Sequence, residues 1–272
     1  MIAAVAAVVL FSVWSATRDA SPEHGAGGEI THIHGLGINP ADRALYVAAH
    51  NGVFRLDARG KAQRVGDGKQ DTMGFTIVGA DHFLASGHSA PDSGGPAHLG
   101  LIESTDGGKT WSSLSMQDQA DFHALRYRHD TVYGYNSLSG QLLASEDRTT
   151  WQTRSEVQLR DFAVSPTDPN TLVATGAGGP MRSTDGGRNW TGAGGDPIAV
   201  LDWETDERLW GVTADGRVMR STDGGVTWSG LGEIGGQPAA FAAGPGKLYV
   251  ATPEGRIAES SDDGRTWATR YP

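Results

Sequence analysis

The chain has 272 residues, 38% of them hydrophobic, with 39 glycines, no cysteine and a formal net charge of −10. An excess of 32 acidic over 22 basic residues, with no basic run, argues against nucleic acid or an anionic membrane surface as partner. The missing cysteines exclude disulfides, lipoprotein attachment and thiolate metal ligands.

Residues 2–14 (IAAVAAVVLFSVW) are continuously apolar and lead into a polar stretch that runs to Gly28. The run is short of the roughly 20 residues of a membrane span and suits the core of a signal peptide. Val13-Trp14-Ser15 offers a cleavage site, with a retained N-terminal anchor as the alternative. The chain therefore divides into a signal peptide or anchor plus linker at 1–28 and one domain at 29–272. The mature protein is expected outside the cytoplasm, as a monomer, touching a membrane only through such an anchor.

Within the domain one pattern, Ser-x-Asp-x-Gly-x-x-Trp, keeps returning. It reads STDGGKTW at Ser104–Trp111, STDGGRNW at Ser183–Trp190, STDGGVTW at Ser221–Trp228 and SSDDGRTW at Ser260–Trp267. A copy one residue short, SEDRTTW, stands at Ser145–Trp151, and Arg55–Gly60 (RLDARG) reads as an eroded one. Successive serines from Ser104 lie 41, 38, 38 and 39 residues apart. A period near 40 built from short strand-like runs predicts propeller blades of four antiparallel strands, A innermost and D outermost.

The strand A segments then start at His34, Met73, Phe122, Arg160, Ile198 and Ala240, giving six blades. The fourth is the clearest, with strands expected at Arg160–Ser165, Thr171–Gly176, Pro180–Ser183 and near Trp190. Arg55 to Ser104 spans 49 residues, 11 more than the common 38; His50 to Arg55 spans 5 and His88 to Ser104 spans 16, again 11 more. One insertion, HSAPDSGGPAHLG at 88–100, explains the irregular period. The predicted fold is an all-β, six-bladed β-propeller.

The octapeptides resemble the Asp-box, or BNR, repeat of sialidases and other secreted propellers. That resemblance implies a tight hairpin between the two outer strands, with Asp106, Asp185, Asp223 and Asp262 as structural residues. His32-Ile33-His34-Gly35-Leu36-Gly37, Met73-Gly74-Phe75, Ser86-Gly87-His88 and Asp121-Phe122-His123 further resemble segments of a bacterial family of exported Asp-box propellers, commonly labelled glycosyl hydrolase or exo-sialidase-like.

All nine histidines lie between residues 24 and 129. His34, Met73 and His123 fall at the start of strand A in three successive blades, with Arg160 in the same place in the fourth. His50, His88 and Asn136 fall at the end of strand B. In an antiparallel blade these two places share one end, so the residues gather on the face opposite the octapeptides. His32 is two residues from His34 and is expected on the same side of its strand. The predicted metal ligands are therefore His34, His50, Met73, His88, His123 and His32, with Asp71, Asp121 and Arg160 as supporting residues. Imidazole and thioether without thiolate favour copper, especially Cu(I), whereas imidazole with carboxylate suits Cu(II) or zinc. His24, His82, His98 and His129 read as structural.

A metal ion or small-molecule ligand at the pore face is thus the expected partner. A glycoside hydrolase is the first alternative. The sialidase pattern needs three arginines and a Tyr–Glu pair, and its Arg-Ile-Pro motif is replaced here by the histidine-rich His32–Gly37. Asp71, Asp121, Asp161 and Asp202 remain as pore carboxylates, but no catalytic pair can be named. The second alternative is an interaction scaffold or assembly factor, which would present aromatics or arginines on that face.

Overall fold

Runs rich in Val, Leu, Phe and Tyr, each closed by Gly, Asp or Asn, pair into antiparallel ladders because branched and aromatic side chains fill a pleated surface and the closing residues accept turn geometry. The computed structural model describes residues 29–91 and 93–272; segment 1–28, with the expected signal peptide or anchor, lies outside the described residues. The described residues form 24 strands and no helix, numbered β1 to β24 in chain order. Six sheets of four begin at β1 (Ile33–Ile38), β5 (Asp71–Gly79), β9 (Phe122–Arg128), β13 (Phe162–Val164), β17 (Ile198–Thr205) and β21 (Ala240–Gly244).

Each of these first strands packs beside the next, and β21 returns to β1, so the sheets are blades around a channel. Six apolar clusters fill the six gaps between blades. In one, Tyr46 and Val53 of blade 1 meet Phe75, Phe83 and Ile102 of blade 2. Phe83 is wholly buried, with ring centroids 4.9 Å from Tyr46 and 5.6 Å from Phe75. Burial of each such side chain stabilises the ring by about 1.5–3 kcal/mol. Among the described residues no strand is exchanged between the first and last blades. Closure rests on a shared core of Ile33, Val47, Tyr249 and Ile257, on Ile30 N donating to Tyr271 Oη at 3.3 Å, and on Arg270 donating to the carbonyls of Asp57 and Ala58 at 2.6 Å.

The octapeptides form the C–D hairpins and bond to themselves. Ser104 Oγ donates to Asp106 Oδ1 at 2.9 Å and accepts from Gly108 N at 2.8 Å. Asp106 accepts from Thr110 N at 2.9 Å and Thr110 Oγ1 at 2.7 Å, while Trp111 Nε1 donates to Gly108 O at 3.1 Å. The hairpins at Ser183, Ser221 and Ser260 repeat this set, and the short copy keeps Asp147 on the amides of Thr149 and Thr150. In blade 1, Asp57 takes the amides of Arg59 and Lys61, so the eroded copy still makes its turn. These carboxylates cap turns and face solvent.

At the other end of the blades the ladders are interrupted. In β1 the register skips at His34, which sits between Ile33, paired with Ala49, and Gly35, paired with Ala48. In β5 it skips over Met73 and Gly74, in β9 over His123, and in β17 over Ala199. A bulge of this kind leaves one residue outside the ladder and redirects its side chain. His34, Met73, His123 and Ala199 all line one central cavity of about 90 Å³.

Candidate metal centre

The entrance to the inner strand carries a carboxylate in blades 2, 3 and 4, beside a bulge in the first two. In blade 2 this is Asp71, paired with His88 across the β5–β6 ladder, where β6 is His82–His88. Gly87 has φ +145°, and a Cβ there would lie 1.9 Å from Asp71 O, so glycine alone allows this approach. In blade 3 it is Asp121, whose amide donates to Asn136 Oδ1 at 3.0 Å and whose neighbour Phe122 N donates to Ser86 Oγ at 3.0 Å. In blade 4 it is Asp161, whose amide donates to Thr175 Oγ1 at 2.9 Å.

Asp71 and Asp121 gather the histidines. His34 Nε2 lies 3.3 Å from Asp71 Oδ1, and His50 Nδ1 lies 2.9 Å from Asp71 Oδ2. His88 spans both carboxylates, with Nδ1 3.4 Å from Asp71 Oδ2 and Nε2 3.3 Å from Asp121 Oδ2. His123 Nε2 lies 2.8 Å from Asp121 Oδ2, which also accepts from Ser137 Oγ at 3.0 Å. Burial would raise the carboxyl of Asp71, yet its contacts with His34, His88 and His50 outweigh that and bring it down to about 2. Asp121 is also buried and also lowered, by His123, His88 and Ser137. Both are ionised at neutral pH.

Several of these atoms lack a hydrogen bond. His34 Nε2 and Asp71 Oδ1 are close but misaligned, and each is buried with no hydrogen-bond partner among the described residues; Asp121 Oδ1 and His98 Nδ1 share that state. Buried polar atoms are rarely left so, because each forfeits its hydration. Two sets of three residues present donor atoms within 4.8 Å of one another: His34, His50 and Asp71, and His88, His98 and Asp121.

The structure thus brings His34, His50, His88, His123, Asp71 and Asp121 together, with the two carboxylates between the rings. It divides the expected trio of strand starts. Blade 2 stands between blades 1 and 3, so His34 meets His50 and Asp71 while His123 turns to Asp121. Met73 lines the cavity between them. His32 departs from the expected alternation: it precedes β1, has φ +45°, and the bulge at His34 breaks the two-residue period. Its exposed ring lies 5.9 Å from that of His50 and belongs to neither set. Arg160 lines the same cavity and donates to Pro238 O at 3.4 Å.

His98, read from the sequence as structural, lies beside the cluster. The insertion returns its ring to 5.4 Å from that of His88. An insertion of unknown path hides such a residue from any repeat alignment; a histidine at its far end was the available signal. His82 lies near Glu103 at 2.7 Å and His129 near Ser165 O at 2.8 Å, neither in a donor set, and His24 lies outside the described residues. Two arginines of β9 that could clamp a substrate carboxylate have other partners. Arg126 donates to Asp161 at 2.7 Å and Arg128 to Trp203 O at 2.9 Å.

No family model and no curated protein matches the chain. Solved structures do. A GH74 xyloglucanase from Xanthomonas campestris is 20% identical with a TM-score of 0.60 over 88% of this chain, which spans only 38% of the xyloglucanase. A gluconolactonase from the same organism is 13% identical, TM-score 0.67, over 82% of this chain and 84% of its own. Virginiamycin B lyase from Staphylococcus aureus is 15% identical, TM-score 0.57, over 89% and 84%. At these identities the likeness is one of fold.

Proposed function

We propose that this protein is an extracytoplasmic Asp-box β-propeller that binds a transition-metal ion, copper, on its pore face. His34, His50 and Asp71 are the ligands, with Met73 in the adjoining cavity as a soft donor for the reduced ion. The observation that carries the reading is the pair of buried atoms without hydrogen bonds, His34 Nε2 and Asp71 Oδ1, facing each other at 3.3 Å beside His50. A cation bound between them would satisfy both. Two imidazoles and a carboxylate suit Cu(II) and zinc, and for a given nitrogen and oxygen set copper binds more tightly.

Titration calorimetry with Cu(II) and Zn(II) tests this. Saturable binding with Cu(II) tighter than Zn(II), weakened more than about 100-fold in His34→Ala/His50→Ala, is expected. Binding that survives the double substitution, or its absence in the unaltered protein, removes the assignment.

A second reading rests on Asp202. Burial pushes its carboxyl up, against the nearby Arg126, while it accepts a hydrogen bond from Ala243 N at 2.8 Å. It lines a cavity of about 1090 Å³ at the other end of the channel. A carboxyl whose protonated form is favoured by burial is the kind of group a glycosidase general acid uses. Hydrolysis of aryl glycosides, abolished by Asp202→Asn, would establish it; a fluorogenic sialoside is not expected to turn over.

A further inference from the structure

The insertion at 88–100 has no counterpart in the other blades, and its far end is fastened. His98 N donates to Asp118 Oδ1 at 3.1 Å, Asp118 N donates to His98 O at 2.9 Å, and Leu99 N donates to Gly87 O at 2.8 Å. Asp118 belongs to the turn just before Asp121. The far end of the loop is therefore tied to the segments that carry His88 and Asp121, and this holds His98 in place. Leu99 also packs against the core between blades 1 and 2.

Two of the three residues so assembled share a deficit. Asp121 is 4% exposed, and its Oδ1 has no hydrogen bond among the described residues; His98 Nδ1 is buried in the same condition. Donor atoms of His88, His98 and Asp121 lie within 4.8 Å of one another. A loop that only packed would have left these atoms paired or in water.

The ring of His88 connects this set to the first. Its Nδ1 faces Asp71 and its Nε2 faces Asp121, so the two nitrogens of one imidazole address the two triads. We propose that a second transition-metal ion binds His88, His98 and Asp121, and that the His88 ring bridges it to the ion held by His34, His50 and Asp71. The inference rests on the metal reading of that first triad. A neutral imidazole carries one N–H; when both nitrogens bind metal, that proton leaves to solvent and the ring serves as imidazolate. No electron is transferred, and both ions keep their oxidation state.

The purified protein is loaded with excess Cu(II), freed of unbound ion by gel filtration, and assayed for copper per chain together with its electron paramagnetic resonance. About two copper ions per chain are expected, with integrated spin well below the copper content because ions bridged by one imidazolate couple. His98→Ala should reduce the content to about one and restore a full mononuclear signal, with an unchanged melting temperature. Asp118→Ala, which loosens the loop but removes no donor, should weaken the second ion alone. One copper in the unaltered protein, two in His98→Ala, or two with full uncoupled spin would overturn the proposal. Failure to bind any copper would overturn the first assignment as well, so the two fail distinguishably.

Discussion

On the rim of C–D hairpins, Asp106 is satisfied by the amide and hydroxyl of Thr110 and by Ser104, all within one turn of chain. On the opposite rim Asp71 takes no backbone amide among the described residues; its neighbours are His34, His50 and His88 from two blades. Both carboxyls are brought down to about 2, one by the peptide backbone and its threonine, the other by ionisable rings against the cost of burial. The same side chain is thus a fastener where its partners are local and fixed, and a hub of ionisable contacts where they are titratable and distant. Asp161 marks the boundary: it stands at the same strand entrance as Asp71 and Asp121, but Arg126, Leu201 N and Phe162 N occupy its oxygens.

The largest expected effect lies on the hairpin rim. Trp190 packs between blades 3 and 4 and donates to Ser155 Oγ and Gly187 O, so Trp190→Ala should cost about 3 kcal/mol in urea unfolding and leave copper affinity unchanged. A comparable loss of copper affinity would erase the contrast between rims. Asp71→Asn should do the reverse, weakening copper by about 10- to 100-fold by calorimetry while the fold persists. Ser183→Ala removes a hydroxyl that accepts from the buried Gly187 N at 2.9 Å and should cost about 1–2 kcal/mol.

The smallest effects are with pH. Asp106 titrates near 2 when folded and near 3.9 when unfolded, so its stabilising contribution is full above about pH 4 and is lost as pH falls through about 2. Carboxyl resonances followed in the metal-free protein should sharpen the comparison. In His34→Ala/His50→Ala the titration of Asp71 should move upward and that of Asp106 should stay. Equal movement of both would mean that the rims are not independent.

The blades were legible because their signals are local: Gly and Asp at fixed offsets specify each hairpin, and the period follows. The strand expected at Arg160–Ser165 is found as Phe162–Val164, since Arg160 and Asp161 still belong to the entrance. The histidine rim was legible through strand equivalence. Its internal pairing was not, because equivalence states height along the channel and is silent on which blades touch. His98 was hidden for a different reason: its position depends on a pair of hydrogen bonds to Asp118, twenty residues further along the chain. Bulges likewise leave no mark in the two-residue alternation that they break.

Those interruptions separate two kinds of information in the chain. A residue left out of the ladder contributes little to blade pairing, so its identity can change without a change in register. His34, Met73, His123 and Ala199 occupy such positions in four blades and present three kinds of side chain to one space. The ring behaves as a socket board whose slots can be rewired one at a time. Placing histidine at Ala199 would add an imidazole on the silent half of the circle with the scaffold left as it is.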